Sequence, residues 1–227
     1  VNLNKDNQIE KTQHGKWSYL RNNQENRNIN NVLIEKDLED SLIKLNSKID
    51  GKTELSNQVI YKLNSILNSV KHSGLVRANE EFLEWLSGNK TLPLGKNNEH
   101  VQIKLIDFEN INNNKFLITN QFKFQNNELK KPDIVLFING IPVVVGEAKT
   151  PIRPAISWLD GAHEIHDIYE NSIPQLFVPN ILSFSTEGKE LFYGAVRNPL
   201  QYWSPWRLNE NDLEKKLGLG EIKEELI

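Results

Sequence analysis

Three residues in the middle of the chain have the types and spacing that metal-assisted hydrolysis requires: Asp133, Glu147 and Lys149. Asp133 stands immediately before an apolar run, Ile134–Ile138, and Glu147 and Lys149 follow directly on Val143-Val144-Val145-Gly146. Two carboxylates can hold a hard cation such as Mg²⁺ through oxygen while leaving several of its waters in place. A cation so held polarises a phosphate and lowers the pKa of a bound water. An ammonium beside it can orient that water and offset charge building on the phosphate. Each residue also has a plainer explanation. An Asp at a strand start is ordinarily a turn or cap residue, and a Glu-x-Lys at a strand end is ordinarily a solvated edge. The valine run beside them points to chemistry, because charge set hard against buried apolar surface is costly unless it is paired or used.

The elements around these residues must bring them together. Asn139-Gly140 is a strong hairpin signal, and Pro142 belongs at the start of the strand that follows. A hairpin over 134–149 runs up one strand and returns on the other, so Asp133 meets Glu147 and Lys149 at the open end. The spacing of two puts Glu147 and Lys149 on one face. Ahead of the hairpin, 101–105 and 116–124 alternate as strands do. Three helices precede them. The first carries Val32, Leu33, Leu38, Leu42, Ile43 and Leu45, the second runs from Leu55 to Val70 with Gly74 as C-cap, and the third covers 78–86. After the hairpin come a helix over 156–170 and two strands, 175–185 and 191–196, split at Glu187-Gly188. Residues 1–31, rich in Asn and Gln, read as a poorly anchored lead-in. Residues 32–207 read as one domain, with a helical part at 32–90 and a sheet core at 99–207, and 208–227 as a charged helix or linker. The expected fold is α/β, with a mixed central sheet flanked by helices and a helical N-terminal section.

The string "KPDIVLFINGIPVVVGEAKTP" resembles the N-terminal nuclease domain of the R (restriction and translocation) subunit of type I restriction-modification enzymes. That family carries a PD-(D/E)xK site as Pro-Asp before an apolar strand, an Asn-Gly-x-Pro turn and a Glu-x-Lys-x-Pro strand end. Here Pro132-Asp133, Asn139-Gly140-Ile141-Pro142 and Glu147-Ala148-Lys149-Thr150-Pro151 match in order. The segments "RANEEFLEWLSG", "NKFLITNQF" and "IPQLFVPNILSFSTEGKELFYGAV" and the pair Trp203/Trp206 are similar too, so the likeness runs from about Leu33 to Arg207.

The resemblance implies a restriction-endonuclease-like fold and sequence-nonspecific, Mg²⁺-dependent cleavage of double-stranded DNA, with Mn²⁺ able to substitute. It implies metal held by Asp133, Glu147 and the carbonyl of Ala148, with Lys149 on the water side. It also implies modification and specificity subunits as partners, and ATP used only by motor domains that this chain does not contain. No G-x-x-x-x-G-K-[ST] motif is present, since Gly51-Lys52, Gly95-Lys96 and Gly188-Lys189 lack the leading glycine.

Two features depart from the family. A Gln usually stands four residues before the helix Tyr, but counting back from Tyr169 gives Ile165, and Glu164 is the nearest polar residue. The family's opening helix with an extra acidic residue has no match in 1–31. A stand-alone nuclease of the same site type and a catalytically silent DNA-binding or docking module therefore remain as alternatives.

Flanking residues complete the candidates. Gln121 aligns with a family segment beside the site, and Lys130, Lys131 and Arg153 could meet DNA phosphates. His163 and His166 could suggest zinc, but their spacing alone is weak evidence. Composition narrows the field further. The 227 residues are 38% apolar and 25% charged, with formal net charge -3, which argues against coating nucleic acid through overall charge. The absence of cysteine excludes disulfides and thiolate sites and fits a cytoplasmic protein. No apolar run approaches the roughly 18 residues of a membrane span.

Overall fold

The structure is a computed structural model that describes residues 17–20, 27–49, 52–94, 99–126, 128–150, 152 and 156–206. In chain order its elements are β1 (Trp17–Leu20), α1 (Glu35–Leu45), α2 (Thr53–Ser73), α3 (Leu75–Leu86), β2 (Thr91–Leu92), β3 (Val101–Gln102), β4 (Phe116–Asn120), β5 (Phe124–Gln125), β6 (Leu129–Lys130), β7 (Ile134–Ile138) and β8 (Ile141–Ala148). These are followed by α4 (Trp158–His163), a π-helical turn (Glu164–Tyr169), α5 (Glu170–Ser172), α6 (Pro174–Phe177), β9 (Leu182–Thr186), β10 (Leu191–Gly194) and β11 (Ser204–Pro205). Seven strands form a mixed sheet in the order β1-β4-β7-β8-β9-β10-β11, with β1–β4 and β8–β9 parallel and the other pairs antiparallel. The expected α/β architecture is what the chain adopts.

β8 lies at the centre and is buried along nearly its whole length, as a strand covered on both faces must be. Gly146 lets the neighbouring strand close in, because a Cβ there would sit 2.2 Å from the Phe184 ring. The hairpin turn has both of its residues at positive φ, Asn139 at 53° and Gly140 at 79°, the primed-turn geometry that matches strand twist. This turn is buried rather than exposed. The Asn139 amide donates to Leu105 O (2.8 Å) and Asn114 Oδ1 (2.9 Å), and its Oδ1 accepts from Lys115 N (2.8 Å). Gly140 O accepts from Ile34 N (2.9 Å), which docks the turn on the start of α1. Beyond the turn the register slips. Ile138 faces Ile141 and Phe137 faces Pro142, but Leu136 faces Val144, leaving Val143 as the extra residue of a β-bulge. Pro142 cannot donate to a ladder, so an irregularity there costs little.

Helices α1 to α3 bury Leu38 and Leu42, then Val59, Leu63, Ile66 and Leu67, then Ala78, Phe82 and Trp85. α2 and α3 pack on α6, and Asn79 Nδ2 donates to Val178 O (2.9 Å) and Asn180 O (2.8 Å). Gly74 ends α2 at φ 80°, as its C-cap role predicts.

Several expectations differ from the structure. The lead-in contributes an edge strand, since Trp17–Leu20 pairs with β4 and Tyr19 OH donates to Asn120 Oδ1 (2.8 Å). Of the strand expected at 101–105, only Val101–Gln102 forms a ladder. Ile103 and Leu105 are buried without one, because Asn46 bonds both Lys104 N and O and Asn139 takes Leu105 O. The strand expected over 116–124 breaks at Gln121, where φ is 51°. Residues 174–177 are helical rather than extended: Pro174 opens a helix well but cannot donate in a ladder. Arg153 and the C-terminal segment 208–227 lie outside the described residues. Among the described residues no helix is long and apolar enough to cross a membrane.

Candidate active site

Asp133, Glu147 and Lys149 meet at the open end of the β7–β8 hairpin. The Asp133 backbone N–H approaches Glu147 Oε2 (3.4 Å), and Ala148 N donates to Asp133 Oδ2 (3.0 Å). Gln121 Nε2 donates to the other Asp133 oxygen, Oδ1. The break in the strand at Gln121 makes this possible, because its left-handed backbone kinks the chain locally while Gln121 N still bonds Asp133 O (2.9 Å). Both carboxylate oxygens of Asp133 therefore have fixed donors.

Lys149 continues past β8, its N–H donating to Thr186 O (2.8 Å). Its ammonium donates to Glu147 Oε1 (3.0 Å) and to Glu164 Oε2, and Glu164 Oε1 accepts from Tyr169 OH (2.8 Å). Glu164 and Tyr169 are five residues apart, a separation that an ordinary helix turn does not bring together. The π-helical turn does so with its i→i+5 repeat. Glu164 is thus the polar residue of this turn that faces the site, and Ile165, found by counting four back, is fully buried in the core. The helix reaches the sheet closely at Gly161, where a Cβ would lie 2.3 Å from Ser185 Oγ and 3.3 Å from Glu147 Cβ.

Electrostatics follow from this crowding. Glu147 is 4% exposed, and burial, aided by the charges of Asp133 and Glu164 and opposed by Lys149, pushes its pKa up to about 8. Burial would lower Lys149, but its bonds to Glu164 and Glu147 prevail and hold it above its ordinary value. Burial likewise works to raise Glu164, yet donation from Lys149 and Tyr169 holds it below the usual carboxylate range. Burial, with the nearby carboxylates, raises Tyr169. A divalent cation suits this donor set. The candidate ligands are oxygens, and one of them is a buried acid among like charges that a cation would relieve. Among the described residues no three His, Cys, Asp or Glu side chains converge as a metal cage.

Not every candidate joins the site. Lys131 is exposed and Lys130 pairs with Glu128 (2.8 Å). His163 and His166 each place Nδ1 2.7 Å from the Asp167 carboxylate, an arrangement that spends those nitrogens on a helix-surface pair. Sequence reasoning missed the π turn and the closeness of Gly161. The sequence signal for the turn was the five-residue spacing of Glu164 and Tyr169.

A seven-stranded mixed sheet flanked by helices, with two acids and a lysine at one hairpin end, defines an α/β fold of the nuclease-like class. Comparison with known proteins makes this specific. The family described as type I restriction enzyme R protein N terminus matches residues 4–202, and the chain belongs to that family. It is 27% identical, over 79% of its length, to the type I restriction enzyme HindI endonuclease subunit of Haemophilus influenzae. It is 30% identical, over 70% of its length, to the type I restriction enzyme MjaIXP endonuclease subunit assigned in Methanocaldococcus jannaschii. The matched regions make up 17% and 16% of those two relatives, so the chain corresponds to about a sixth of their length.

Proposed function

We propose that this chain is the DNA-cleaving domain of a type I restriction enzyme R subunit, hydrolysing phosphodiester bonds of double-stranded DNA without sequence preference of its own. The observation that carries this reading is the convergence of Asp133, Glu147 and Lys149 in a member of that family. Asp133 and Glu147, with the Ala148 carbonyl, would hold Mg²⁺ or Mn²⁺. When bound, the ion supplies Lewis-acid polarisation of the phosphate and a water of lowered pKa.

The chain's own residues do the rest. Gln121 and the Ala148 N–H fix both oxygens of Asp133, so its orientation is set before any ligand arrives. Lys149, held above its ordinary pKa chiefly by Glu164, would turn its remaining N–H donor toward the phosphate or the attacking water. Tyr169 fixes the far oxygen of Glu164. Lys131 and, by its place in the sequence four residues after Lys149, Arg153 would add phosphate contacts. In this reading the target is chosen by modification and specificity subunits, ATP is used by motor domains of a longer chain, and the complex acts in the cytoplasm.

Calorimetric titration of Mn²⁺ into this chain and into Asp133→Ala tests the proposal. Binding by the parent that is lost in the variant, followed by metal-dependent nicking of plasmid DNA, is the expected outcome. Equal binding by both, or binding by neither, would sink the assembled metal site and favour a silent docking module.

A further inference from the structure

Arg27 lies in the segment expected to be loosely held, yet it is among the better-connected cations of the molecule. Its guanidinium stacks over the Phe122 ring at 3.8 Å from the centroid. Nη2 donates to Lys123 O, and Nη1 donates to Asn31 O (2.9 Å) and Asn28 O (3.1 Å). Two residues on, Ile29 O accepts from Gln125 N (3.0 Å), so 27–31 clasps 122–125 through backbone and side chain together.

The clasped residues adjoin the one that orients Asp133. Gln121 is held at φ 51°, a conformation unfavourable for a residue with a Cβ that persists only where its surroundings enforce it. On one side the enforcement comes from the hairpin, since Gln121 N bonds Asp133 O (2.9 Å) and Phe122 N bonds Pro132 O (3.0 Å). On the other side it comes from Arg27. Phe122 itself is fully buried and packs 5.3 Å from Phe137 of β7, so its ring is a fixed platform. Arginine suits the place because its planar fork can stack on a ring and bond carbonyls at once.

We propose that Arg27 is a positioning residue for Asp133, locking the turn at Gln121–Lys123 so that the Gln121 amide stays on the Asp133 carboxylate. The proposal rests on the reading of Asp133 as a metal-site residue, and it extends the functional unit back across more than a hundred residues of sequence to the lead-in.

The test uses the 227-residue chain with Arg27→Met, Arg27→Lys and Phe122→Leu, following the Gln121 side-chain amide by nuclear magnetic resonance and Mn²⁺ affinity by calorimetry. Arg27→Met is expected to move the Gln121 amide signals toward those of a free glutamine and to weaken Mn²⁺ binding about tenfold, the usual cost of losing an outer partner of a metal ligand. Arg27→Lys keeps charge and one donor but loses the fork, and restores the signals only in part. Phe122→Leu removes the platform while staying apolar, and shifts the same signals in the same direction. Gln121 signals unchanged in Arg27→Met and in Phe122→Leu would overturn the proposal. Should Arg27→Met fail to fold, Phe122→Leu and Arg27→Lys decide by the same signals. If the parent binds no Mn²⁺, the metal reading fails, and the Gln121 signals still judge the role of Arg27.

Discussion

Replacing Glu147 by glutamine should make the metal-free protein more stable, and increasingly so as pH rises. Burial holds the pKa of Glu147 at about 8, against an ordinary value of 4.5. Between those values the folded chain keeps a proton that the unfolded chain has released. Folding therefore takes up a proton in this window, and stability falls as pH rises through it, by up to about 1.4 kcal/mol per pH unit for one group. From pH 5.5 to 7, on the order of 2 kcal/mol should be lost from the parent through this site and none from Glu147→Gln, which resembles the protonated acid. Glu170, also raised by burial, to about 7, titrates in both proteins and cancels from the comparison. In a chain of this size 1 kcal/mol corresponds to roughly 2–4 °C in melting temperature. The gap between variant and parent should thus widen by roughly 4–8 °C across the interval, in thermal melts with the metal chelated. Parallel melting curves at the two pH values would refute the assignment of a buried, proton-holding Glu147.

Two further perturbations probe the framework. Gly161→Ala forces a methyl to within 2.3 Å of Ser185 Oγ, so either the helix lifts from the sheet or Ser185 gives up its bond to Trp158 O, at about 1–3 kcal/mol as overpacking generally costs. Calorimetric melting should register that loss, and an unchanged melting temperature would mean that the helix does not sit as closely as Gly161 implies. Asn139→Ala takes the Asn139 side-chain partner from Leu105 O and Lys115 N, while Asn114 Oδ1 still accepts from Asp107 N, and it keeps a left-handed backbone; unmade buried bonds cost about 1–3 kcal/mol each. A fall of several kcal/mol in urea unfolding is expected, and a shift below about 1 kcal/mol would show the buried turn to be dispensable.

Much of this architecture was legible because its determinants are local. Asn139-Gly140 between two apolar runs specifies a hairpin, and the helices of the N-terminal part announce themselves through Leu38, Leu63 and Phe82 at helical spacing. The site's core followed from the hairpin, since its open end had to gather Asp133, Glu147 and Lys149. Other features depend on partners distant in sequence. Trp17–Leu20 becomes a strand only because β4 offers an edge to it. Ile103 and Leu105 lack a ladder because Asn46 and Asn139 reach in to satisfy their backbone neighbours. The partnership of Glu164 with Tyr169 required a π turn, which an ordinary 3.6-residue period cannot anticipate.

The bulge at Val143 has a consequence for the length of the chain between the two acids. Side chains alternate between faces, so cross-strand neighbours share a face only if the count of residues linking them has the right parity. With Leu136 opposite Val144 and Ile134 opposite Gly146, one more step sets Asp133 opposite Glu147. An unbroken ladder from the same turn would set Asp133 opposite Gly146 instead, and Glu147 would project from the other side of the sheet. The hairpin thus obeys an even–odd rule: a single residue gained or lost between the acids separates them, while a compensated pair leaves them together. Val143, a residue with no chemistry of its own, is the one that makes the count come out.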